Sequence, residues 1–290
     1  MPSVLRLAAL AALLPACATT PTEPLGPLAK ETIHAVTASN QLLSFNAGQP
    51  QKILAKKPLS GLRAGDRLVG IDYRVAKGQL FGLGASGQLY RIDAATAAAT
   101  AVGAPAALPE GREFGFDFNP TVDRIRVVSD TGFNLRLHPD TGAVVDADAT
   151  QPGVQFDGRL AYGAADRMAG HAPRIVAAGY TYNKDNEKLT TNYALDGAAG
   201  MLVQQGTREG VAPAVSPNTG HLYTVGMLGT GPFARASLDI SDVSNAAYAG
   251  IGIADGRPTR WYRIDLASGA ATFIGTVGGG EPIVGSAIEP

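Results

Sequence analysis

The sequence has very little cysteine, histidine and tryptophan, and these shortages exclude several kinds of site. Among its 290 residues there are one Cys, four His and one Trp. A lone cysteine, Cys17, forms no internal disulfide, so the folded domain must be stabilised by its core. The histidines are scattered without metal-ligand spacing, so no zinc site is predicted. A GxSxG elbow is missing too, which removes that signature of a serine hydrolase.

An excess of charge of one sign is also missing. Lys and Arg total 24 against 25 Asp and Glu, a formal net charge of −1. There is therefore no global electrostatic attraction to nucleic acid or to an anionic membrane surface, and no nucleic-acid partner is predicted. The glycine-rich GLGASG (82–87) resembles a dinucleotide fingerprint, but a strand pattern follows it at once in place of the helix that binds pyrophosphate. No organic cofactor is predicted.

The first 17 residues are interpreted as an export signal. Arg6 precedes an apolar run over residues 7–14, which is too short to span a bilayer. The signal ends in LPAC (14–17), which resembles the lipobox of bacterial lipoproteins, so lipidation at Cys17 is predicted. Several acyl chains on one residue would make a stable anchor in the periplasm or at the outer membrane. Cleavage after Ala18 is the alternative, and it would release a soluble periplasmic protein.

The remaining chain divides into a spacer and one domain. Residues 18–31 are rich in Pro and Thr and predict a tether. Residues 32–290 carry short β-branched and aromatic runs separated by turn residues, with 36 Gly and 19 Pro in the whole chain. No helical apolar period of roughly 12 residues interrupts them. An all-β domain follows from this pattern.

A repeated phrase indicates how the strands are arranged. LYRIDAATAAATAVG (89–103) returns as WYRIDLASGAATFIG (261–275), identical at 9 of 15 positions, and NLRLHPDTGAVV (134–145) is a looser copy. Such units cannot bury their apolar faces alone, so they predict stacked blades. One blade parses completely as LVGIDYR (68–74), QLFGLGA (79–85), LYRID (89–93) and ATAVG (99–103). Four short antiparallel strands of this kind are typical of a β-propeller.

The same order predicts the other blades. With the chain termini counted as the first blade and residues 68–103 as the second, the third contains 114–118, 124–130, 134–138 and 143–147. The fourth contains 159–163, 174–183, 190–196 and 221–227. The fifth contains 234–240, 246–253, 260–266 and 271–277. The N-terminus supplies only three strands, at 33–39, 42–45 and 51–56, and the C-terminal 283–289 resembles an innermost strand. We predict a propeller of about five four-stranded blades, closed by pairing of its N- and C-terminal strands. A sixth blade stays open, because residues 197–235 parse poorly.

Three carboxylates occupy matching places on the predicted innermost strands: Asp72, Asp117 and Asp239. Innermost strands line the central channel, where these groups could converge to bind a cation such as Ca²⁺ or to perform acid–base chemistry. The alternative is structural, with each carboxylate accepting backbone N–H groups and holding its blade to the next.

Two further clusters are candidate ligand sites. Arg126, Asn134 and Arg136 lie on neighbouring strands, and Arg suits bidentate recognition of carboxylate or phosphate. A buried ion-pair network that joins two blades is the alternative. Tyr182 and Asn183 lie in YTYN (180–183), which predicts a ligand-stacking edge or, as the alternative, packing between blades.

These motifs together resemble a bacterial family known as domain of unknown function 4394. The resemblance rests on FGFDFNPTVDRIRVVSDTGFNLRLHPDTG, on YTYN and on YRIDLASGAATFIGTVGG, and it covers residues 33–288. It implies a secreted or lipid-anchored propeller-like domain without an established activity. We expect a monomeric, non-catalytic binding or scaffold module for an envelope protein, peptidoglycan or polysaccharide. A hydrolase or lyase that uses the channel carboxylates is the alternative.

Overall fold

The computed structural model describes residues 23–253 and 256–290, and these residues form an all-β propeller. Within these two ranges five sheets surround a central axis, and the only helical turns are of the 3₁₀ type, at Val75–Lys77 and Pro217–Thr219. No helix in the same ranges is long and apolar enough to cross a membrane. The predicted signal and Cys17 lie outside the described residues.

Twenty strands make up the described part of the propeller. In chain order they are β1 (Thr32–Thr37), β2 (Gln41–Asn46), β3 (Ile53–Pro58), β4 (Leu68–Arg74), β5 (Gln79–Gly84), β6 (Leu89–Asp93), β7 (Ala98–Val102), β8 (Phe114–Asn119), β9 (Arg124–Ser129), β10 (Asn134–Leu137), β11 (Ala161–Tyr162), β12 (Ile175–Tyr180), β13 (Asn192–Asp196), β14 (Met201–Gln205), β15 (His221–Met227), β16 (Arg235–Ile240), β17 (Ala247–Gly252), β18 (Arg260–Ile264), β19 (Ala271–Thr276) and β20 (Ile283–Ile288).

The ring closes as predicted, through its own two ends. Blade 1 has the strand order β20-β1-β2-β3, with Ile33 opposite Ile288 and Ala35 opposite Ser286 in the antiparallel pair. Blade 2 is β4 to β7, blade 3 is β8 to β10, blade 4 contains β11 to β15, and blade 5 is β16 to β19. Closure pairs the otherwise open edge of β1, which removes a site of aggregation.

Blades 3 and 4 differ from the sequence prediction. The predicted strand at 143–147 is reduced to a single bridge between Leu137 and Val144, because the chain turns at once, with the Asp146 carboxylate accepting the N–H groups of Asp148 and Gln155. The segment 159–163 is not the innermost strand of blade 4. Its core, β11, is half exposed and pairs in parallel with β15 at the outer edge, whereas the wholly buried β12 takes the inner place.

The poorly parsed stretch 197–235 contains two strands of blade 4, the predicted β15 and one that was not predicted, and no additional blade among the described residues. Met201–Gln205 is β14, and it lies between β13 and β15 in the sheet. All five of its residues are buried, so it lacks the polar alternation of a half-exposed strand. Across the described residues the blade count is therefore five.

Hydrophobic layers between blades hold the ring together. Trp261 on β18 is an example: its ring lies edge-on to Phe45 of blade 1, with 5.2 Å between centroids, and its Nε1 donates to the Ala47 carbonyl at 3.1 Å. Burial of such a large aromatic side chain with its N–H satisfied joins blade 5 to blade 1.

The five innermost strands contact one another in ring order around the axis. Glycine permits this close approach. A Cβ on Gly115 of β8 would lie 2.7 Å from the backbone nitrogen of Ala178 on β12, and a Cβ on Gly70 of β4 would lie 2.6 Å from Cβ of Phe116 on β8. Any side chain at these positions would push adjacent inner strands apart. The same strands bring three carboxylates to the axis.

Candidate functional site

The channel carboxylates converge as predicted. Asp72, Asp117 and Asp239 project from β4, β8 and β16, and each offers an oxygen within 4.8 Å of the others. All three side chains are buried, with 3–7% of each residue exposed. Carboxylates so close together could hold a cation between them or share protons. Ca²⁺ takes 6–8 oxygens, whereas at least four of the six oxygens of these carboxylates already accept backbone N–H groups.

Each of these carboxylates is already engaged with the backbone of the following inner strand. Asp72 Oδ2 accepts the Phe118 N–H at 2.7 Å, Asp117 Oδ1 accepts the Tyr180 N–H at 2.9 Å, and Asp239 Oδ2 accepts the Ile288 N–H. Every bond crosses from one blade to the next. This is the arrangement described by the structural alternative, in which the carboxylates fasten the ring.

The two blades without a channel carboxylate fit the same scheme. Register along the inner strands places Gly179 and Ala287 where the other blades have Asp. Gly179 and Ala287 have no carboxylate to accept an N–H group from the following inner strand. The N–H groups concerned are those of Ile240 and Tyr73. The Ile240 N–H is taken by Asp239 at 2.6 Å, and the Tyr73 N–H stabilises the charged form of Asp72. Three carboxylates thus serve five backbone donors around the axis.

Burial and mutual repulsion keep the channel from carrying three negative charges. Burial, followed by the neighbouring carboxylates, raises the pKa of Asp72 and of Asp117 well above the usual range. Burial also raises the pKa of Asp239, to about 7, against the opposing effect of its two backbone N–H donors. At neutral pH the cluster therefore holds protons.

Tyr182 lies near this cluster, is half-buried, and borders a hollow of about 210 Å³ together with Phe118 and Asn119. Burial and then the charges of Asp72, Asp117 and Asp239 raise its pKa, which places its ring close to the carboxylates. Its backbone N–H donates to Asn245 Oδ1 at 2.9 Å, and its carbonyl accepts from Asn245 Nδ2 at 2.7 Å. These bonds fix the backbone of Tyr182 between blades 4 and 5.

The second predicted cluster forms a buried network between blades 3 and 4. Arg126 is 1% exposed, and its Nη1 donates to Asp157 at 2.6 Å and to Asn134 at 2.8 Å. Its Nη2 donates to Asn218 Oδ1 at 2.6 Å, and its Nε to the Tyr180 hydroxyl at 3.2 Å. The alternative of an inter-blade network is therefore realised, and all three predicted residues belong to it.

The same network has an unbalanced charge. Arg136 donates through Nε and Nη2 to the two oxygens of Asp157, both at 2.8 Å. Two guanidinium groups thus share one carboxylate, whose side chain is only 1% exposed. Since Arg stays protonated in proteins, the Arg126–Asp157–Arg136 triad has a net charge of +1.

This triad borders a cavity of about 620 Å³ between blades 3 and 4, on the side where the inner strands end. Arg126, Arg136, Asn192, Gln205, Glu209 and Asn218 are among the residues that line it. We call this space the interblade cavity. Its volume is in the range of small-molecule sites.

Three polar side chains in the wall of the interblade cavity have atoms without hydrogen-bond partners. They are both amide atoms of Asn192, Oε1 of Gln205 and Oε2 of Glu209, and each of these atoms is buried. Asn192 and Gln205 face each other across β13 and β14 and are 2% and 1% exposed. An unsatisfied buried polar group costs about 1–3 kcal/mol, so three in one wall call for a reason.

Comparison with known proteins identifies the family. The family model described as "Domain of unknown function (DUF4394)" matches residues 41–287. The chain belongs to the DUF4394 family. Among curated proteins none matches the chain. The resemblance predicted from the FNP–DRIRVVS segment is thereby confirmed.

Several solved structures are distantly similar to this DUF4394 protein. A protein of unknown function from Bacteroides thetaiotaomicron has 14% identity and a TM-score of 0.40, covering 82% of this chain and 57% of that one. An auxiliary nutrient binding protein from Bacteroides ovatus has 13% identity and a TM-score of 0.42, with coverage of 76% and 56%. The glutaminyl cyclase of Myxococcus xanthus has 12% identity and a TM-score of 0.43, with coverage of 88% and 100%. At such scores no function is carried over.

Sequence reasoning missed several residues of this DUF4394 site. Asp157 lies in a loop after β10 without any motif, and Gln205 ends the strand that was not recognised. Asn183 was predicted as a ligand contact, but it does not line the interblade cavity. Its Oδ1 accepts the N–H groups of Asp185 and Asn186, and its Nδ2 donates to Glu209 Oε1 at 3.1 Å. It therefore positions a residue of the wall.

Proposed function

We propose that this protein is a non-catalytic ligand-binding module of the bacterial cell envelope, and that its ligand binds in the interblade cavity. The observation that carries the proposal is the set of unpartnered polar atoms of Asn192, Gln205 and Glu209 in one wall of that cavity. A ligand with its own polar groups is the partner that would satisfy them. The cost of leaving them unpaired in the free protein is then explained by function.

The engagement of the channel carboxylates supports a binding role over catalysis. A hydrolase or lyase needs its carboxylates within reach of a substrate, whereas Asp72, Asp117 and Asp239 are buried and bonded to backbone amides. The hollow along the axis beside Gly70 and Gly115 has a volume of about 10 Å³, roughly the space of one water molecule. The described residues that line this hollow do not include the three carboxylates.

The proposed location follows from the sequence of the N-terminus. An export signal that ends at Cys17 favours a lipid-anchored protein facing the periplasm. The described part of the predicted tether lies against the domain. Glu23 accepts both the N–H and the hydroxyl of Thr276 on β19, and the Ala29 N–H donates to Asn46. In this location the available ligands include soluble fragments of peptidoglycan and envelope polysaccharide.

Filling the interblade cavity tests the proposal. Ala214 is exposed and lines the cavity, so Ala214→Trp should occupy it without disturbing the core. Wild-type protein should show a rise in Tm with muropeptides or with depolymerised envelope polysaccharide, and Ala214→Trp should lose that rise.

The matched control is Ala267→Trp, at an exposed turn of blade 5. It should melt and bind like the wild type. The proposal is wrong if no fraction raises the Tm, or if a fraction raises the Tm of Ala214→Trp as much as that of the wild type.

A further inference from the structure

The interblade cavity combines two chemical features. One is a buried positive charge that the protein itself leaves uncompensated. The other is a group of hydrogen-bonding atoms that remain without partners. Taken together, the two features restrict the ligand more narrowly than the proposed binding function does.

The positive charge comes from the Arg126–Asp157–Arg136 triad. Arg126 and Asp157 are almost fully buried, and Arg136 is 19% exposed. A net charge in such a low-dielectric position is unfavourable unless an opposite charge is nearby. Among the described residues, every carboxylate contact given for these two arginines is made by Asp157 alone. An anionic group in the cavity would complete the pairing.

Other charges around the cavity have the same sign. Arg124 and Lys188 also line it, while Glu209 supplies the one carboxylate among the described lining residues. Arg208 belongs to the wall as well, but its guanidinium donates to the Leu266 carbonyl of blade 5. The cavity is therefore cationic in a protein whose overall net charge is −1. This local excess favours an anion and does not depend on the charge of the whole chain.

The unpartnered atoms define the rest of the ligand. Gln205 Oε1 and Glu209 Oε2 are acceptors, so they require donors from the ligand. The Asn192 amide can accept through Oδ1 and donate through Nδ2 at the same time. Hydroxyl groups meet all of these demands because each both donates and accepts. Adjacent hydroxyls on a ring suit the facing pair Asn192 and Gln205.

We infer that the interblade cavity binds an acidic sugar: a hydroxyl-bearing ring with one carboxylate or phosphate group. This inference rests on the proposed binding function and names its ligand class. The anionic group pairs with Arg136 and the exposed edge of the charged triad. The ring hydroxyls satisfy Asn192, Gln205 and Glu209. Neutral sugars have no anionic group to pair with Arg136, and simple fatty acid anions have no hydroxyl groups for the wall of the cavity.

Calorimetric titration of the full-length protein with four small probes tests each part. Glucuronate and glucose 6-phosphate carry hydroxyls and an anionic group, glucose carries hydroxyls alone, and hexanoate carries a carboxylate alone. At least one acidic sugar should bind about tenfold or more tightly than both glucose and hexanoate. Comparison of the first two probes then distinguishes carboxylate from phosphate.

Arg136→Gln is the decisive variant. It removes the excess positive charge but leaves Arg126 and Asp157 as a balanced pair, so the fold is retained. Affinity for the acidic sugar should fall about tenfold or more, with little change for glucose. Arg91→Gln removes a charge from an exposed position in blade 2 and is the matched control. It should bind like the wild type.

The results separate this inference from the proposed function. Equal binding of glucose and glucuronate would overturn it, as would unchanged glucuronate affinity in an Arg136→Gln variant with wild-type Tm. Failure of all four probes, with a Tm rise from envelope fragments that Ala214→Trp abolishes, would overturn the sugar assignment but leave the cavity as a binding site. Should Arg136→Gln not fold, Asn192→Ala replaces it, and its folded form should lose glucuronate binding.

Discussion

A carboxylate at the centre of a propeller is stabilised or destabilised by the atoms within a few ångströms of it. Asp117 accepts the Tyr180 N–H, and it faces Asp72 and Asp239 with oxygens no more than 4.8 Å away. The hydrogen bond favours ionisation, whereas burial and the two neighbours oppose it and prevail. Asp117 therefore stabilises the ring when it accepts this hydrogen bond, and its buried negative charge destabilises the ring when it ionises.

This balance predicts how Asp117→Asn behaves with pH. The folded-state pKa values in the channel are raised above the unfolded value near 4, so the folded chain retains protons that the unfolded chain releases. These retained protons therefore stabilise the folded state fully at low pH. The stabilisation is lost as the pH rises through about 7, where Asp239 ionises. An amide at 117 keeps an acceptor for Tyr180 without charge. We expect Asp117→Asn to be more stable than the wild type by about 1–3 kcal/mol at pH 8, with the gain shrinking towards pH 5.

Urea unfolding at pH 5 and pH 8 checks this expectation. The exposed Asp93 is a control of opposite sign, because the backbone N–H groups of Thr96 and Ala95 lower its pKa. Asp93→Asn should lose stability, and only above the pH where Asp93 ionises. A stability loss for Asp117→Asn at pH 8 would contradict the proton-sharing account.

At the residue scale, the channel carboxylates could be predicted because they occupy equivalent positions in the repeated blades. Asp72, Asp117 and Asp239 occur at equivalent places in GIDYR, GFDFN and SLDIS, so their convergence could be read from the strand pattern. Asp157 offered no such signal. It follows Phe156 in a loop, and its role arises only because Arg126 and Arg136 extend from two neighbouring strands towards it.

At the scale of elements, the inner strands depend on glycine where they meet. Gly115 on β8 lies so close to β12 that an added Cβ would be 2.7 Å from the Ala178 nitrogen and 2.8 Å from the Ala177 carbonyl carbon. Backbone atoms cannot rotate away as a side chain can. The inner strands would therefore have to separate along much of their length.

Gly115→Ala should consequently destabilise the protein, by about 1–3 kcal/mol, the usual cost of overpacking. Gly252→Ala on β17 is the matched control, because an added Cβ there meets nothing nearer than 3.5 Å. Chemical denaturation should show a lower midpoint for Gly115→Ala only. Equal midpoints for the two variants would mean that the inner strands can adjust without cost.

Most strands were located from their local residue pattern, including the wholly buried β4 and β17. β6 alternates between buried and exposed residues from Tyr90 to Asp93, as period-2 patterning requires, and it was located correctly. β14 is buried throughout and was missed, and β11 was assigned to the wrong edge of its sheet. A local pattern reports which residues of a strand are buried. It does not report which neighbour lies beside that strand.

At the scale of the whole molecule, we propose that lipidation near the N-terminus anchors the propeller. If Cys17 is lipidated, wild-type protein expressed in a bacterial host should incorporate a labelled fatty acid and sediment with membranes. Cys17→Ser should do neither. Labelling followed by membrane fractionation measures both.

A second variant separates the two modes of processing. Ala18→Leu removes the small residue needed for cleavage after position 18, so it should leave a lipidated protein anchored as before. Unlabelled wild-type protein in the soluble periplasmic fraction, with Ala18→Leu accumulating uncleaved, would contradict the lipid anchor.

The sequence alone determined the class of fold, the closure of the ring and the meeting of three carboxylates at its axis. These properties repeat along the chain, and a repeated local pattern is visible without knowledge of distant contacts. The interblade cavity was decided by tertiary structure alone. Its wall joins Arg126, Asn192 and Gln205 across separations of up to 79 positions. Only the packing of blade 3 against blade 4 brings the guanidinium of Arg126 beside the unpartnered atoms of Asn192 and Gln205.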